Sequence, residues 1–477
     1  MPHCRTSCAF TFSFLVLATS PWPAPAAEKT SGSIVSIQHQ GMLVRECTLE
    51  GETRKDGVVP RDGNGLQLSR DRWLVVYNTH GWRGVDDERS IVYQVRRDAP
   101  DGPVLKEGWL VRTRNDWLPP GVAAPPAGKS YVKQHGHMVA FGVPKGAFID
   151  GKPAPHANVF VAQWRVVARV LDVPANRLEK TYYDPALHDK TQNVEWLQFR
   201  LNDSDDDLEI VQPIRVLRQK GFENGPAFCS AKDVTWMNQS FCPPVPFTRD
   251  CTEWAECNHF DKGRIAALKF RFDPKSRLYE WVATGPFFME EKATFSEASL
   301  LHTATEWLVA ARTSKGVVAW GRSDDPFARW SKATFTKEPS VSAPLTAFQC
   351  ADGVVRLFTG DKATSAQKYD RDPLYCWDVQ PEREFAVTNR QMLFDSLAAK
   401  LGMRKVVRPK IDFCKLFPHQ GKTQLAVHSV STRAYDFPYD GQPGIPPLNA
   451  EEKAVSGLYY TRLTYRDEPP ALWKFGQ

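Results

Sequence analysis

After its first twenty residues the chain has no apolar run approaching the ~20 residues that a membrane-crossing helix needs. It also has no run of Lys or Arg, and its formal net charge is only +6 over 477 residues. Both features argue against a nucleic-acid partner. No CxxC pair occurs, so the cysteines do not spell a zinc site, and no metal or other cofactor is expected. Sustained helical periodicity is scarce too. The 36 Pro and 30 Gly interrupt the chain too often for a helical protein.

What is present begins with "MPHCRTSCAFTFSFLVLATSPWPAPAAEKT". Arg5 gives a weakly positive start, a short apolar run follows, and a Pro/Ala segment ends in small residues. This reads as a secretory signal peptide over residues 1–26, which predicts a secreted or periplasmic protein. Of the ten cysteines, Cys4 and Cys8 leave with that segment. Cys47, Cys229, Cys242, Cys251, Cys257, Cys350, Cys376 and Cys414 remain, an even number that favours disulfides in an exported chain. Four of them fall in a Pro-rich stretch at about 225–260. It is expected to be an inserted loop stapled by at least one bridge among Cys229, Cys242, Cys251 and Cys257.

Short apolar or alternating runs recur along the rest: "RWLVVYNTH", "NVFVAQWRVVARVLDV", "RIAALKFRFD", "VVRLFTG", "QLAVHSVS" and "GLYYTRLTY". They are rich in Val, Leu, Tyr and Trp and are separated by turn residues, the pattern of many short strands. One helix is predicted, about Asn389 to Leu401, where Leu393, Leu397 and Leu401 repeat every four residues and Gly402 can end it. No linker divides residues 27–477. So many strands in one domain need an architecture that manages sheet edges, and a β-propeller does so by radial repetition. "RSDDPFARW" spaces Ser323, Asp325 and Trp330 as in an Asp-box turn, though without its usual Gly.

Charged residues supply the candidate site. Glu297 and Arg312 stand on two strands that a turn near Thr303 to Thr305 would pair. Arg61 opens an earlier strand pair, which leads to a loop carrying Arg83, Asp86 and Asp87. Arg371 precedes a late strand. In order and approximate spacing this set resembles the sialidase (neuraminidase) superfamily of β-propeller glycoside hydrolases. "SEASLL…WLVAAR" is the most specific window, and "VPRDG" is a loose counterpart of the family's Arg-Ile-Pro.

The resemblance implies an all-β, six-bladed propeller in which Arg61, Arg312 and Arg371, with Arg83 nearby, clamp a sugar carboxylate. Asp86, or Asp87, would protonate the leaving oxygen, and Glu297 would be the base that activates a tyrosine nucleophile. The tyrosine is where this chain departs from the pattern. "PKIDFCKLF" puts Phe413 or Asp412 at the expected place, and Tyr435, Tyr459 and Tyr460 come later. Asp412 as nucleophile or base would restore a two-carboxylate mechanism. The expected partner is an acidic glycan or polysaccharide, bound by a monomer.

Two other readings stay open. His80, His135, His137 and His156 could serve a propeller polysaccharide lyase, with His135 and His137 on one face of an extended chain. A propeller that binds glycans without cleaving them would also carry such a clamp. "LNDSDDDLE" lacks the Gly and terminal Glu of a calcium loop at the needed offsets and reads as a solvated acidic turn.

Overall fold

The computed structural model describes residues 33–45, 47, 49, 59–80, 90–112, 123–124, 127, 129–170, 193–221, 237–239, 242–260, 263–341, 343–361, 363, 371–401, 409–431 and 450–476. Those residues are nearly all β. The strands form six antiparallel sheets of four or five strands, and one small sheet of three.

The first sheet runs Val59–Gln67, Arg72–His80, Ile91–Arg97, Val104–Val111. In the second, Lys129–Val143 is followed by Ala157–Val170, Asn193–Leu201 and Leu208–Val216. The third has Met237–Gln239 and Val245–Pro246 on one side of Glu253–Phe260, then Arg264–Asp273 and Leu278–Thr284. The fourth is Phe295–His302, Trp307–Thr313, Val318–Ser323, Thr334–Thr336, and the fifth Thr346–Gln349, Val355–Thr359, Leu374–Gln380, Ala386–Phe394. The sixth begins with Lys410–Leu416, Thr423–Ser431 and Gly457–Tyr465 and is completed by the chain's earliest described strand, Ile34–Val44.

Position in a sheet explains composition. The second strand of the first sheet is covered on both faces, so Trp73, Leu74, Val75, Val76 and Tyr77 are all fully buried and the run is continuously apolar. The fourth strand of the second sheet lies outside, and Leu208–Val216 is mostly exposed or half-buried. Apolar clusters lie along and between neighbouring sheets. One joins Leu74 and Val76 to Phe417, Val427 and Leu458, cementing the first sheet to the sixth.

The glycines of "RDGNG" lie in a strand because of that joint. A Cβ on Gly65 would stand 2.2 Å from ring atoms of Phe417, and one on Gly63 2.9 Å from Leu458. Close approach of two strands, not a turn, calls for glycine here.

The helix expected at Asn389 to Leu401 does not form. Its first half is the edge strand Ala386–Phe394, paired with Leu374–Gln380 through a bulge at Asn389, whose φ is 47°. Backbone pairing and the burial of Leu393 and Phe394 override the four-residue leucine spacing. Beyond it Asp395 Oδ1 accepts from the N–H groups of Leu397 and Ala398, which makes a turn. The α-helix found among the described residues is the five-residue Ala450–Ala454, and none is long and apolar enough to cross a membrane.

The disulfide expectation is also corrected among the described residues. Cys242, Cys251 and Cys257 are buried free thiols, while Cys229 lies outside those residues. Cys257 belongs to the strand Glu253–Phe260, Cys251 packs in an aromatic core with Trp254 and Tyr279, and Cys242 Sγ lies 2.8 Å from Ser299 Oγ. Burial pushes the Cys242 thiol up to about 11. At the end of Val318–Ser323, Ser323 Oγ donates to Arg329 O and accepts from Asp325 N, and Asp325 Oδ1 accepts from Phe327 N.

Candidate functional site

The first strands of different sheets do not pair with one another, so side chains must tie them together. Asp62 of the first sheet accepts from Met138 N of the second through Oδ2. Its other oxygen meets Lys415 Nζ of the sixth at 2.7 Å. Ser429 Oγ accepts from Asp62 N. Thr346 of the fifth sheet donates to Cys414 O, and Ser299 of the fourth accepts from Ala347 N. Lys415 and Asp62 are almost wholly buried, and Lys415 also donates to Met138 O at 2.5 Å. This is a buried ion pair whose two members each have a further partner in the Met138 backbone, the kind of support that makes burying charge tolerable.

Just beside these ties the strands are irregular. Register breaks fall between Arg61 and Asn64, Gly136 and Met138, Ser296 and Ser299, and Asp412 and Lys415. Asp62, His137 and Glu297 have positive φ there, 52°, 42° and 50°. Bulges re-aim side chains beside functional sites, and four first strands carry them at Arg61, His137, Glu297 and Asp412.

Three of those bulges bring the predicted residues together. Arg61 Nη2 lies 3.1 Å from Asp412 Oδ2. Arg371, in the turn before Leu374–Gln380, bonds to the other oxygen, Asp412 Oδ1. Lys410 Nζ is 3.3 Å from Asp412 Oδ2. Arg312 Nη1 pairs with Glu297 Oε2 at 2.9 Å. The two groups form one electrostatic cluster. Burial pushes the Glu297 carboxyl up, opposed by the charges of Arg312, Arg371 and Lys410 and reinforced by that of Asp412.

The cluster has an open side and a floor. Side-chain exposure falls from 27% at Arg312 and 18% at Arg371 to 6% at Arg61 and 2% at Asp412. A solute therefore meets Arg312 and Arg371 first, with Asp412 beneath them.

Lys410 and His259 were missed in the sequence. Lys410 was legible: it stands two residues before Asp412 on one strand and hence on the same face. His259 lies on Glu253–Phe260, and burial together with the Arg312 charge pushes it down to about 4. Nothing in its local sequence marked that neighbour.

Arg83, Asp86 and Asp87 lie outside the described residues, as does Tyr435. Phe413 belongs to Lys410–Leu416. Tyr459 is a core residue that donates to Val455 O and packs against Phe394, and the Tyr460 phenol is raised by burial and then by the nearby Asp101 charge. His80 ends a first-sheet strand. His135 Nε2 lies 3.0 Å from Glu195 Oε2 in a buried pair. The bulge at His137 breaks the alternation that would put it on one face with His135. Burial pushes His156 down to about 4. The acidic turn behaves as read: Asn202 Oδ1 accepts from the N–H groups of Asp206 and Asp207, closing a hairpin.

Sheets arranged in this way, with a charged cluster where their first strands meet, define a β-propeller of the sialidase-like kind. A mutant of Trypanosoma rangeli sialidase displaying trans-sialidase activity superposes with a TM-score of 0.51 at 9% identity, over 89% of this chain and 57% of that one. Trypanosoma rangeli sialidase in complex with sialic acid gives 0.50 at 9% identity, over 87% and 58%. A protein of unknown function from Dyadobacter fermentans gives 0.50 at 11% identity, over 91% of this chain and the whole of that one. This chain thus spans less than two thirds of the trypanosomal structures. No protein-family model matches the sequence, and no curated protein does.

Proposed function

We propose that the protein is an exported glycoside hydrolase acting on a carboxylate-bearing sugar of a glycan. The observation that carries this reading is the charge of the cluster. Arg61, Arg312, Arg371 and Lys410 stand against two carboxylates, Glu297 and Asp412. Cations crowded in a partly buried site repel one another until an anion compensates them. A ligand bringing its own carboxylate supplies one, and arginine forks suit that geometry. Arg312 and Arg371, on the open side, are the first contacts for it.

In this reading a carboxyl group of the Arg83 to Asp87 loop, Asp86 or Asp87, protonates the leaving glycosidic oxygen. Glu297 and Asp412 are the two carboxylates of the cluster, with Glu297 taking the proton from an attacking water. Burial raises the Glu297 carboxyl above its ordinary range, which makes it a stronger base than a solvated glutamate.

The test offers sialosides and uronate-bearing glycans to the full chain and identifies the released sugar. Release of a free acidic sugar is the expected result, lost in Asp86→Asn if that residue is the acid. Tight binding of an acidic glycan without turnover would replace the hydrolase with a binding propeller. An unsaturated uronate among the products would assign a lyase.

A further inference from the structure

A clamp for an external carboxylate has no evident need of an internal one. Yet Arg61 and Lys410 both reach one oxygen of Asp412, and Arg371 reaches the other. Such two-sided contact is what a bound sugar acid would be given. Asp412 is also the most buried member of the cluster, at 2% exposure, and sits on a bulged strand. A bulge leaves its strand less constrained by the ladder than regular pairing does.

Resting on the acidic-sugar reading, we infer that Asp412 is a resident carboxylate: it occupies the seat of the ligand's own acid group and is displaced when that group binds. The exchange is one carboxylate for another on the same cations, so the two interactions largely cancel. Net affinity then comes from the ligand's extra contacts with Arg312 and from the rest of the sugar. A neutral sugar offers nothing to take over Arg61 and Arg371 and leaves the seat filled. Asp412 is thus a specificity-determining residue, one that makes an acid group the condition of entry. It also keeps the buried guanidinium groups compensated while no ligand is present, which the apposition of Arg61, Arg371 and Lys410 would otherwise make costly.

The experiment compares wild type, Asp412→Ala and the near-isosteric Asp412→Asn. Acetate and N-acetylneuraminic acid serve as probes, with galacturonic acid as a second sugar acid. Binding is read by calorimetry and by thermal shift. Asp412→Ala is expected to bind the sugar acids about tenfold or more tightly than wild type, because the internal competitor is gone. Acetate should stabilise Asp412→Ala saturably, leave wild type unmoved and compete with the sugar acid. If Asp412→Ala does not fold, Asp412→Asn carries the same affinity comparison.

Simultaneous binding of acetate and sugar acid, or equal or weaker sugar affinity in the variants, would overturn the inference. So would the absence of any saturable acetate effect. Failure of the acidic-sugar reading looks different: no variant binds any sugar acid, although acetate still titrates into Asp412→Ala.

Discussion

Arg61 Nη2 donates to Oδ2 of Asp412 across 3.1 Å, linking two residues 351 apart in the chain. The contact joins the first strand of the first sheet to the first strand of the last, where the ring of sheets closes. Around it the charges are unevenly shared, because Asp412 has three cationic partners while Arg61 is one of several donors.

That asymmetry orders the cost of mutation. Asp412→Ala strands three cations and should destabilise by about 3–5 kcal/mol. Arg61→Met leaves Asp412 with Arg371 and Lys410, so a smaller loss of about 1–3 kcal/mol is expected. Urea titrations of both variants check the order, and a larger loss in Arg61→Met would contradict the picture of Asp412 as the hub.

Glu297→Gln should lower kcat by about a hundredfold or more with little change in KM, if the side chain moves a proton in the transition state. As a base Glu297 works when ionised, so activity should rise as pH rises through its elevated pKa. The acid limb of the rate profile therefore lies above the ordinary ~4.3 of glutamate. The variant loses that limb. An unchanged limb in Glu297→Gln would assign it to another group.

Gly65→Ala tests the joint between the first and sixth sheets. The new methyl would fall 2.2 Å from the Phe417 ring, and overpacking of this sort costs about 1–3 kcal/mol. Adding Phe417→Leu should recover part of the loss in thermal melts. Full stability of the single variant would mean that the two strands part easily.

Acid should unfold the protein partly through its histidines. Burial pushes His428 down to about 3 and His302 to about 4. Both are neutral when folded at pH values where an unfolded histidine, near 6.5, takes up a proton. The unfolded state therefore binds more protons between about pH 6.5 and pH 3–4, and stability falls as pH falls through that window. His428→Leu should flatten this part of the stability profile measured by urea titration between pH 4 and pH 7. An unaltered slope would mean that His428 does not contribute.

Much of this was legible from residue order. The recurring short apolar runs are the buried second and third strands, and of the ordered set Arg61, Asp86, Glu297, Arg312 and Arg371, the four among the described residues lie in one charged cluster with Asp412. What the sequence concealed depends on long-range packing. The leucines at 393, 397 and 401 repeat as in a helix, yet pairing with Leu374–Gln380 makes an edge strand of the first part. Cysteine parity suggested bridges, but parity carries no information about burial, and Cys242, Cys251 and Cys257 are core residues. The approach of His259 to Arg312 spans two sheets and leaves no local trace. Nor does the ion pairing of Asp412, since a lone Asp in a strand looks the same whether it faces water or three cations.

The sixth sheet also bears on how the chain must be made. Ile34 faces Tyr465 in a ladder between the earliest described strand and one of the last. At about 5–20 residues per second, synthesis of the intervening stretch takes on the order of 20–90 s. Throughout that interval Ile34–Val44 has no partner, and its unfilled hydrogen-bonding edge is open to wrong pairings. Ring closure thus falls at the end of biogenesis as a slow, non-local step, and a chain shortened at its C-terminus before Gly457–Tyr465 loses its beginning as well as its end.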